Sequence, residues 1–234
     1  METLIEAFVN ALQLLRDLDP ALLEVVALTL RVTGGALALS VLIGLPIGAA
    51  LGLQDRVPLG GCLLPVIYTG MGLPPVVVGL FVYLLLSNRG PLGELSWLFT
   101  PPAMVMAQTI IALPLMVGLT LTAVQSVDPM LRLQIQSLGA TRWQLAWTVL
   151  LEARLGVLAA IVAAFGSIIS EVGAVMLVGG NIEGATRVLT TAVVLETRKG
   201  NFALALALGI ILLSLAFMAN FAMYHLERRG GGGS

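Results

Sequence analysis

Charge is what this chain has least of. Only 11% of its 234 residues are Asp, Glu, Lys or Arg, where an ordinary soluble domain carries about 25%. Lysine occurs once, as Lys199, outside any Gly-x-x-x-x-Gly-Lys-Ser/Thr context, so the chain has no phosphate loop with which to use a nucleotide itself. Cysteine also occurs once, as Cys62, which excludes an internal disulfide framework and a multi-cysteine metal site. The single histidine, His225, leaves a histidine metal centre or a catalytic relay without partners. A Gly-x-Ser-x-Gly turn is missing too, and a net charge of −1 gives nucleic acid no electrostatic hold. These absences leave no catalytic residue, no metal ligand and no bound cofactor to name.

What is present is apolar. Hydrophobic residues make up 58% of the chain and mean hydropathy is +1.01, as expected where most side chains meet lipid or other buried helices. Runs free of Asp, Glu, Lys and Arg cover 32–53, 57–88, 95–127, 155–170 and 200–226. A membrane-crossing helix needs about 20 largely apolar residues. Trimmed at turn signals, these runs predict five spans near 24–53, 61–86, 102–126, 155–178 and 201–225. The expected fold class is therefore all-α, a polytopic transmembrane bundle, with 1–229 as one domain and the Gly-Gly-Gly-Gly-Ser run at 230–234 read as an appended linker.

Residues 1–18 differ from the rest. Glu2, Glu6, Asn10, Gln13 and Asp17 recur every three or four positions, forming a polar stripe on a helix otherwise covered by Leu4, Ile5, Phe8, Leu12 and Leu15. This predicts an amphipathic helix, with a sixth span as the alternative. Its acidic start is unlike the basic start of a signal peptide, and packing on the protein's own bundle explains it better than attraction to lipid. Asp19-Pro20 suits the start of the next helix. Gly34, Gly35, Gly44, Pro46, Gly48, Pro65, Pro74, Pro75 and Pro114 fall within the spans, where small residues allow close helix packing and such breakers also permit hinging.

The segment 131–151, LRLQIQSLGATRWQLAWTVLL, is polar-studded and flanked by apolar runs. Asp128-Pro129 can cap a short helix carrying Leu131, Ile135 and Leu138 on one side. Gly139 can then take a backbone angle closed to other residues and turn the chain into a second helix, with Trp143, Ala146, Trp147 and Leu150 on one face. Tryptophans at headgroup depth would account for part of this pattern. The segment resembles the cytoplasmic coupling loop of ABC-importer permeases, whose consensus is Glu-Ala-Ala, three residues, Gly, nine residues, Ile, one residue, Leu-Pro. Gly139 matches that glycine, Leu138 and Ala140 are its usual neighbours, Val149 stands for the Ile and Leu151 for the Leu. Leu133-Gln134-Ile135 replaces Glu-Ala-Ala, and Glu152 replaces the proline.

Two further strings are similar to the tungstate branch of that family: Ser170-Glu-Val-Gly-Ala-Val-Met-Leu-Val-Gly-Gly-Asn181, and Thr186-Arg-Val-Leu-Thr-Thr-Ala-Val-Val-Leu-Glu-Thr-Arg-Lys-Gly200. Leu151-Glu-Ala-Arg154 is also similar to that branch, with molybdate and sulfate permeases as cousins. The resemblance implies a bundle of the molybdate/methionine importer permease type in a bacterial or archaeal cytoplasmic membrane, N-terminus outside and C-terminus inside, an orientation the arginine distribution barely biases. It implies a second copy of this chain, an ABC ATPase carrying ATP and Mg, and a substrate-binding protein on the outer side. The loop 127–154 would dock on the ATPase through Leu131, Ile135, Leu138, Gly139, Ala140, Arg142, Trp143, Trp147 and Leu150.

Glu171 is the one acid between Leu155 and Ile182. Intramembrane carboxylates are costly and usually face a bundle interior or a water-filled path. Either Glu171 hydrogen-bonds near a gate, or the fourth span ends before it. A carboxylate is ill suited to hold a dianion directly. Gate or pathway candidates are Ser170, Glu171, Met176, Thr190 and Thr191, and 185–196 reads as a re-entrant helix or an outer-loop helix. No cage of basic residues lies within the spans, so selection would rest with the binding protein. Readings of other classes are an intramembrane hydrolase using Ser170 with Glu171 or Ser167 with His225, and a passive channel.

Overall fold

A computed structural model describes residues 4–16, 20–54 and 60–230 of the chain. Eleven α-helices occur among the described residues: α1 (Leu4–Arg16), α2 (Pro20–Gly52), α3 (Gly60–Met71), α4 (Pro75–Leu86), α5 (Pro101–Gln125), α6 (Pro129–Ser137), α7 (Arg142–Glu152), α8 (Arg154–Ile169), α9 (Gly173–Gly179), α10 (Leu189–Lys199) and α11 (Phe202–Gly230). A 3-10 turn at Gly93–Leu95 joins α4 to α5, and no strand is present among these residues.

Among the described residues, three helices are long and apolar enough to cross a membrane unaided: Leu22–Gly52, Pro101–Gln125 and Phe202–Leu226. The number reaches five if α3 with α4, and α7 with α8, each count as one broken span. The continuous helix expected over 61–86 is interrupted at Gly72-Leu73-Pro74. Pro74 is extended at φ −62°, ψ 119°, and Pro75 opens α4. The Pro-Pro pair causes this, because proline lacks the N–H a helix needs and excludes α geometry from the residue before it. The helix expected over 155–178 likewise ends at Ile169 and restarts at Gly173.

Helix α1 is the expected amphipathic helix. Its 13 residues rise about 20 Å, short of a roughly 30 Å hydrocarbon core. Glu6 and Gln13 are exposed and Asn10 is half-buried, while Glu2, Asp17 and Asp19 lie outside the described residues, as do 231–234. Ala11 is fully buried in a cluster with Leu22, Leu189, Ala192, Ala207 and Leu208, so α1 is held by the protein's own helices.

The chain forms two compact units. The first draws on Met1–Ala36, Pro74–Thr109 and Gly166–Ala219, the second on Leu37–Leu73, Ile110–Phe165 and Asn220–Ser234. In the first, α9 lies tightly on α4: a Cβ on Gly79 would come 2.6 Å from Ala174 Cα, and one on Gly173 would come 2.5 Å from Val76. In the second, Gly44, Gly48 and Gly52 form a four-residue ladder on α2 that lets it approach α5. A Cβ on Gly48 would sit 2.6 Å from the Val117 carbonyl oxygen, and one on Gly52 2.8 Å from that of Leu121. Small residues at this spacing are the usual means of bringing membrane helices into backbone contact.

Candidate functional site

The second unit carries the expected helix-turn-helix, and each joint in it has a local cause. Asp128 precedes α6 and its carboxylate accepts a hydrogen bond from the Met130 N–H at 2.8 Å, while Pro129 fills a first-turn position where no N–H is required. Helix α6 ends in a Schellman arrangement. Gly139 has φ +80°, its N–H donates to the Gln136 carbonyl at 3.0 Å, and the Ala140 N–H donates back to Ile135 at 3.3 Å. Thr141 then caps α7 reciprocally with Gln144: the Gln144 N–H donates to the Thr141 hydroxyl oxygen, and the Thr141 N–H donates to the Gln144 side-chain oxygen at 2.8 Å. The Thr-x-x-Gln spacing at 141–144 is readable in the sequence as a capping box and completes the turn inferred from Gly139 alone.

The apolar residues of this pair divide into two sets. Val149 is fully buried with Ala49, Ala123, Val124, Val127 and Ala153, and Leu131, Leu145 and Leu150 pack against that cluster. Leu131 and Leu150, expected to face a partner, therefore anchor the pair to its own unit. The outward set is Leu138 at 86% exposed, Trp143 at 86% and Trp147 at 66%, with Met130 and Leu133 beside them. Ile135 and Ala140 are half-buried, and Gly139 and Arg142 are exposed. Two exposed indoles and a leucine are costly in water, since burying each is worth about 1.5–3 kcal/mol for side chains of this kind. They are the composition expected of interface anchors.

Arg132 entered the sequence reading only through the arginine distribution. Its guanidinium reaches back from α6 to the Gly52 carbonyl at 3.3 Å and also donates to the Val124 carbonyl. These acceptors lie at the C-terminal ends of α2 and α5. The signal available beforehand was a lone arginine among Leu131, Leu133 and Ile135 on a short capped helix.

The first unit holds the second group of candidates, at the break between α8 and α9. There the Glu171 carboxylate accepts the Ala174 N–H at 2.9 Å, and the Glu171 carbonyl accepts the Thr190 hydroxyl at 2.9 Å. From α5, the buried Gln108 side chain donates to the Ile168 carbonyl at 3.0 Å. Its own amide oxygen is buried with no hydrogen-bond partner. Three side chains from separate stretches thus satisfy backbone groups that the break frees, the condition for irregular backbone inside a membrane protein. Gln108 was missed by sequence reasoning, although it is an amide set among apolar residues within the span Pro101–Gln125.

The structure brings Glu171 and Thr190 together. Ser170 is exposed, and its hydroxyl donates to Gly166 and Ser167 carbonyls. Met176 is half-buried on α9. Thr191 is fully buried and closes the first turn of α10, accepting the Val188 N–H at 3.1 Å. Helix α10 is packed from below its start as well: the Leu189 N–H donates to the Thr29 hydroxyl oxygen at 2.9 Å. At its far end, buried Glu196 accepts from Lys199 at 2.9 Å and from Asn201 at 3.1 Å. The Lys199 hydrogen bond first, then Asn201 and the charges of Lys199 and Arg187, hold the Glu196 carboxyl below the usual range against the opposing effect of burial. His225 meets the edge of Phe221 with ring centroids 4.4 Å apart.

The sequence pattern described as binding-protein-dependent transport system inner membrane component matches residues 44–230. A protein of Haloferax volcanii described as a probable anion ABC transporter permease is 48% identical over 204 residues, covering 85% of this chain and 88% of that one. The tungstate uptake system permease protein TupB of Peptoclostridium acidaminophilum is 36% identical over 227 residues, covering 97% and 99%. Among solved structures, the MetNI methionine ABC transporter in an inward-facing conformation matches with a TM-score of 0.71 over 89% of this chain and 95% of that chain. At 18% identity this is a likeness of fold.

Proposed function

Since this chain belongs to the family of binding-protein-dependent transport system inner membrane components, we propose that it is the membrane permease of an ATP-driven oxyanion importer, with tungstate as cargo. The names of its relatives support an anion, and TupB, aligned over nearly the whole length, supports tungstate over molybdate or sulfate. Family membership places it among channel-forming subunits rather than enzymes, with ATP and Mg handled by a separate ATPase chain. That answers the hydrolase reading, and the exposed Leu138, Trp143 and Trp147 support a docked ATPase over a passive channel.

The observation that carries this reading is the outward apolar set Leu138, Trp143 and Trp147 on a rigidly capped helix pair. A groove on the ATPase would bury these side chains, while Val149 keeps the pair seated on its own unit. ATP closes the ATPase dimer, the two α6–α7 pairs of a homodimer move with it, and the spans alternate between inward- and outward-open states. Tungstate then passes from the outer binding protein along the dimer axis. The break at Ser170–Val172, where Glu171, Thr190 and Gln108 satisfy backbone groups, would serve as a gate. Thr190 spends its hydroxyl on a carbonyl, which supports a supporting role there and not an anion ligand.

The test is co-purification with the ATPase in mild detergent. Trp143→Ala with Trp147→Ala is expected to lower recovery of the ATPase at least about tenfold, the scale of losing one or two interface anchors, while the permease stays folded. Full recovery by the double variant would refute the docking assignment.

A further inference from the structure

We propose that Arg132 is the joint through which the α6–α7 pair moves the ends of two membrane helices together. The inference rests on the permease reading and adds a positioning residue to it. Helices α2 and α5 each end in carbonyls that have no partner within their own helix, and neither has a basic residue in its last turn. Negative partial charge gathers at such ends and favours a cation. That cation comes from α6: one guanidinium nitrogen donates to Gly52, the last residue of α2, and another to Val124, in the last turn of α5, whose carbonyl also accepts the Val127 N–H at 3.3 Å.

Two features separate this from an incidental surface arginine. First, the side chain is drawn inward, and its Nε is buried with no hydrogen-bond partner. A free arginine would keep all five donors in water, so the two carbonyl contacts offset that loss. Second, the helices it joins are packed against each other at close range. The ladder of Gly44, Gly48 and Gly52 leaves no room for a Cβ against α5, so a pull on either end moves both. Val149 and Leu150 seat α7 by shape, but a packed apolar contact can slide. A planar, always-charged fork on two carbonyls fixes direction as well as distance.

The experiment uses the whole transporter, permease with ATPase and binding protein, in proteoliposomes supplied with tungstate. Arg132→Gln is expected to keep ATPase stoichiometry and basal ATP hydrolysis. Tungstate imported per ATP hydrolysed should fall about tenfold, within the range usual for coupling between sites. Arg132→Lys, with a point charge in place of a fork, should fall between wild type and Arg132→Gln. Spin labels at the exposed positions Gln136 and Gln54, on a Cys62→Ser background, supply a readout independent of transport. In the wild type their separation should be one narrow distance both without nucleotide and with ATP trapped; in Arg132→Gln it should broaden.

Wild-type coupling in both variants, or a Gln136–Gln54 distance that changes with nucleotide in the wild type, would overturn the inference. If Arg132→Gln does not assemble, Arg132→Lys and the wild-type distance decide. Failure of the permease reading looks different: the tryptophan double variant would keep its ATPase whatever Arg132 does.

Discussion

At Gly139 the backbone sits at φ +80° with open space where a Cβ would project, so a substitution there is opposed by backbone strain and not by a clash. A β-branched residue in this region costs about 1–2 kcal/mol, and asparagine costs less. Gly139→Val is therefore expected to lower tungstate import per ATP, and Gly139→Asn to stay near wild type. Equal coupling in the two variants would show that the left-handed turn is dispensable. Glu196 gives a pH dependence. Its folded pKa is below the ordinary value of 4.5, so its pairing with Lys199 and Asn201 stabilises fully above that value and is lost as pH falls through the lower, folded one. The Tm of the detergent-solubilised protein should be level from neutral pH to about 5 and drop below about 4.5, with a smaller drop in Glu196→Gln. Superimposable profiles would deny Glu196 this role. Gly139 was legible because only glycine accepts that angle cheaply between two polar helices. Arg132, Gln108 and Thr29 were not, because each acts on a backbone group 60 or more residues away in sequence for Arg132–Gly52, Gln108–Ile168 and Thr29–Leu189.

Among the elements, the long apolar helices near 24–53, 102–126 and 201–225 were read to within a few residues, because unbroken apolar runs and flanking turn residues define them from within. The two breaks were not. Pro74-Pro75 was visible as a pair of breakers, yet hydropathy alone runs straight across it. At Ser170-Glu171-Val172 the cause is tertiary: Gln108 and Thr190 satisfy backbone groups that a continuous helix would have satisfied itself. The α6–α7 helix pair was expected from its glycine and tryptophans, but Leu131 and Leu150, expected to face a partner, are half-buried against their own unit. Two short helices present several apolar faces, and only packing on Val149 and Ala153 shows which is inward. The break also carries a prediction. Glu171→Gln keeps an acceptor for the Ala174 N–H and removes the charge, whereas Glu171→Ala removes the cap as well, at about 1 kcal/mol. If the break is a gate, Glu171→Gln should change basal ATP hydrolysis in the assembled transporter without loss of Tm. Unchanged hydrolysis and import would exclude a gating role for the carboxylate.

On the scale of the whole molecule, the shortage of charge, the absent phosphate loop and the exposed tryptophans each fit the proposed function. The chain has no phosphate loop, and the exposed Leu138, Trp143 and Trp147 form the surface that the proposed function assigns to a separate ATPase. Family membership agrees with that division of labour, while the cargo and its coupling to ATP are the claims that call for direct proof. Tungstate uptake into proteoliposomes holding the permease, its ATPase and its binding protein, counted by mass spectrometry of the trapped metal, tests them together. The expected result is accumulation only with ATP and Mg, competed weakly by sulfate. Uptake that proceeds without ATP, or no uptake of tungstate from a fully assembled and ATP-hydrolysing complex, would contradict the account.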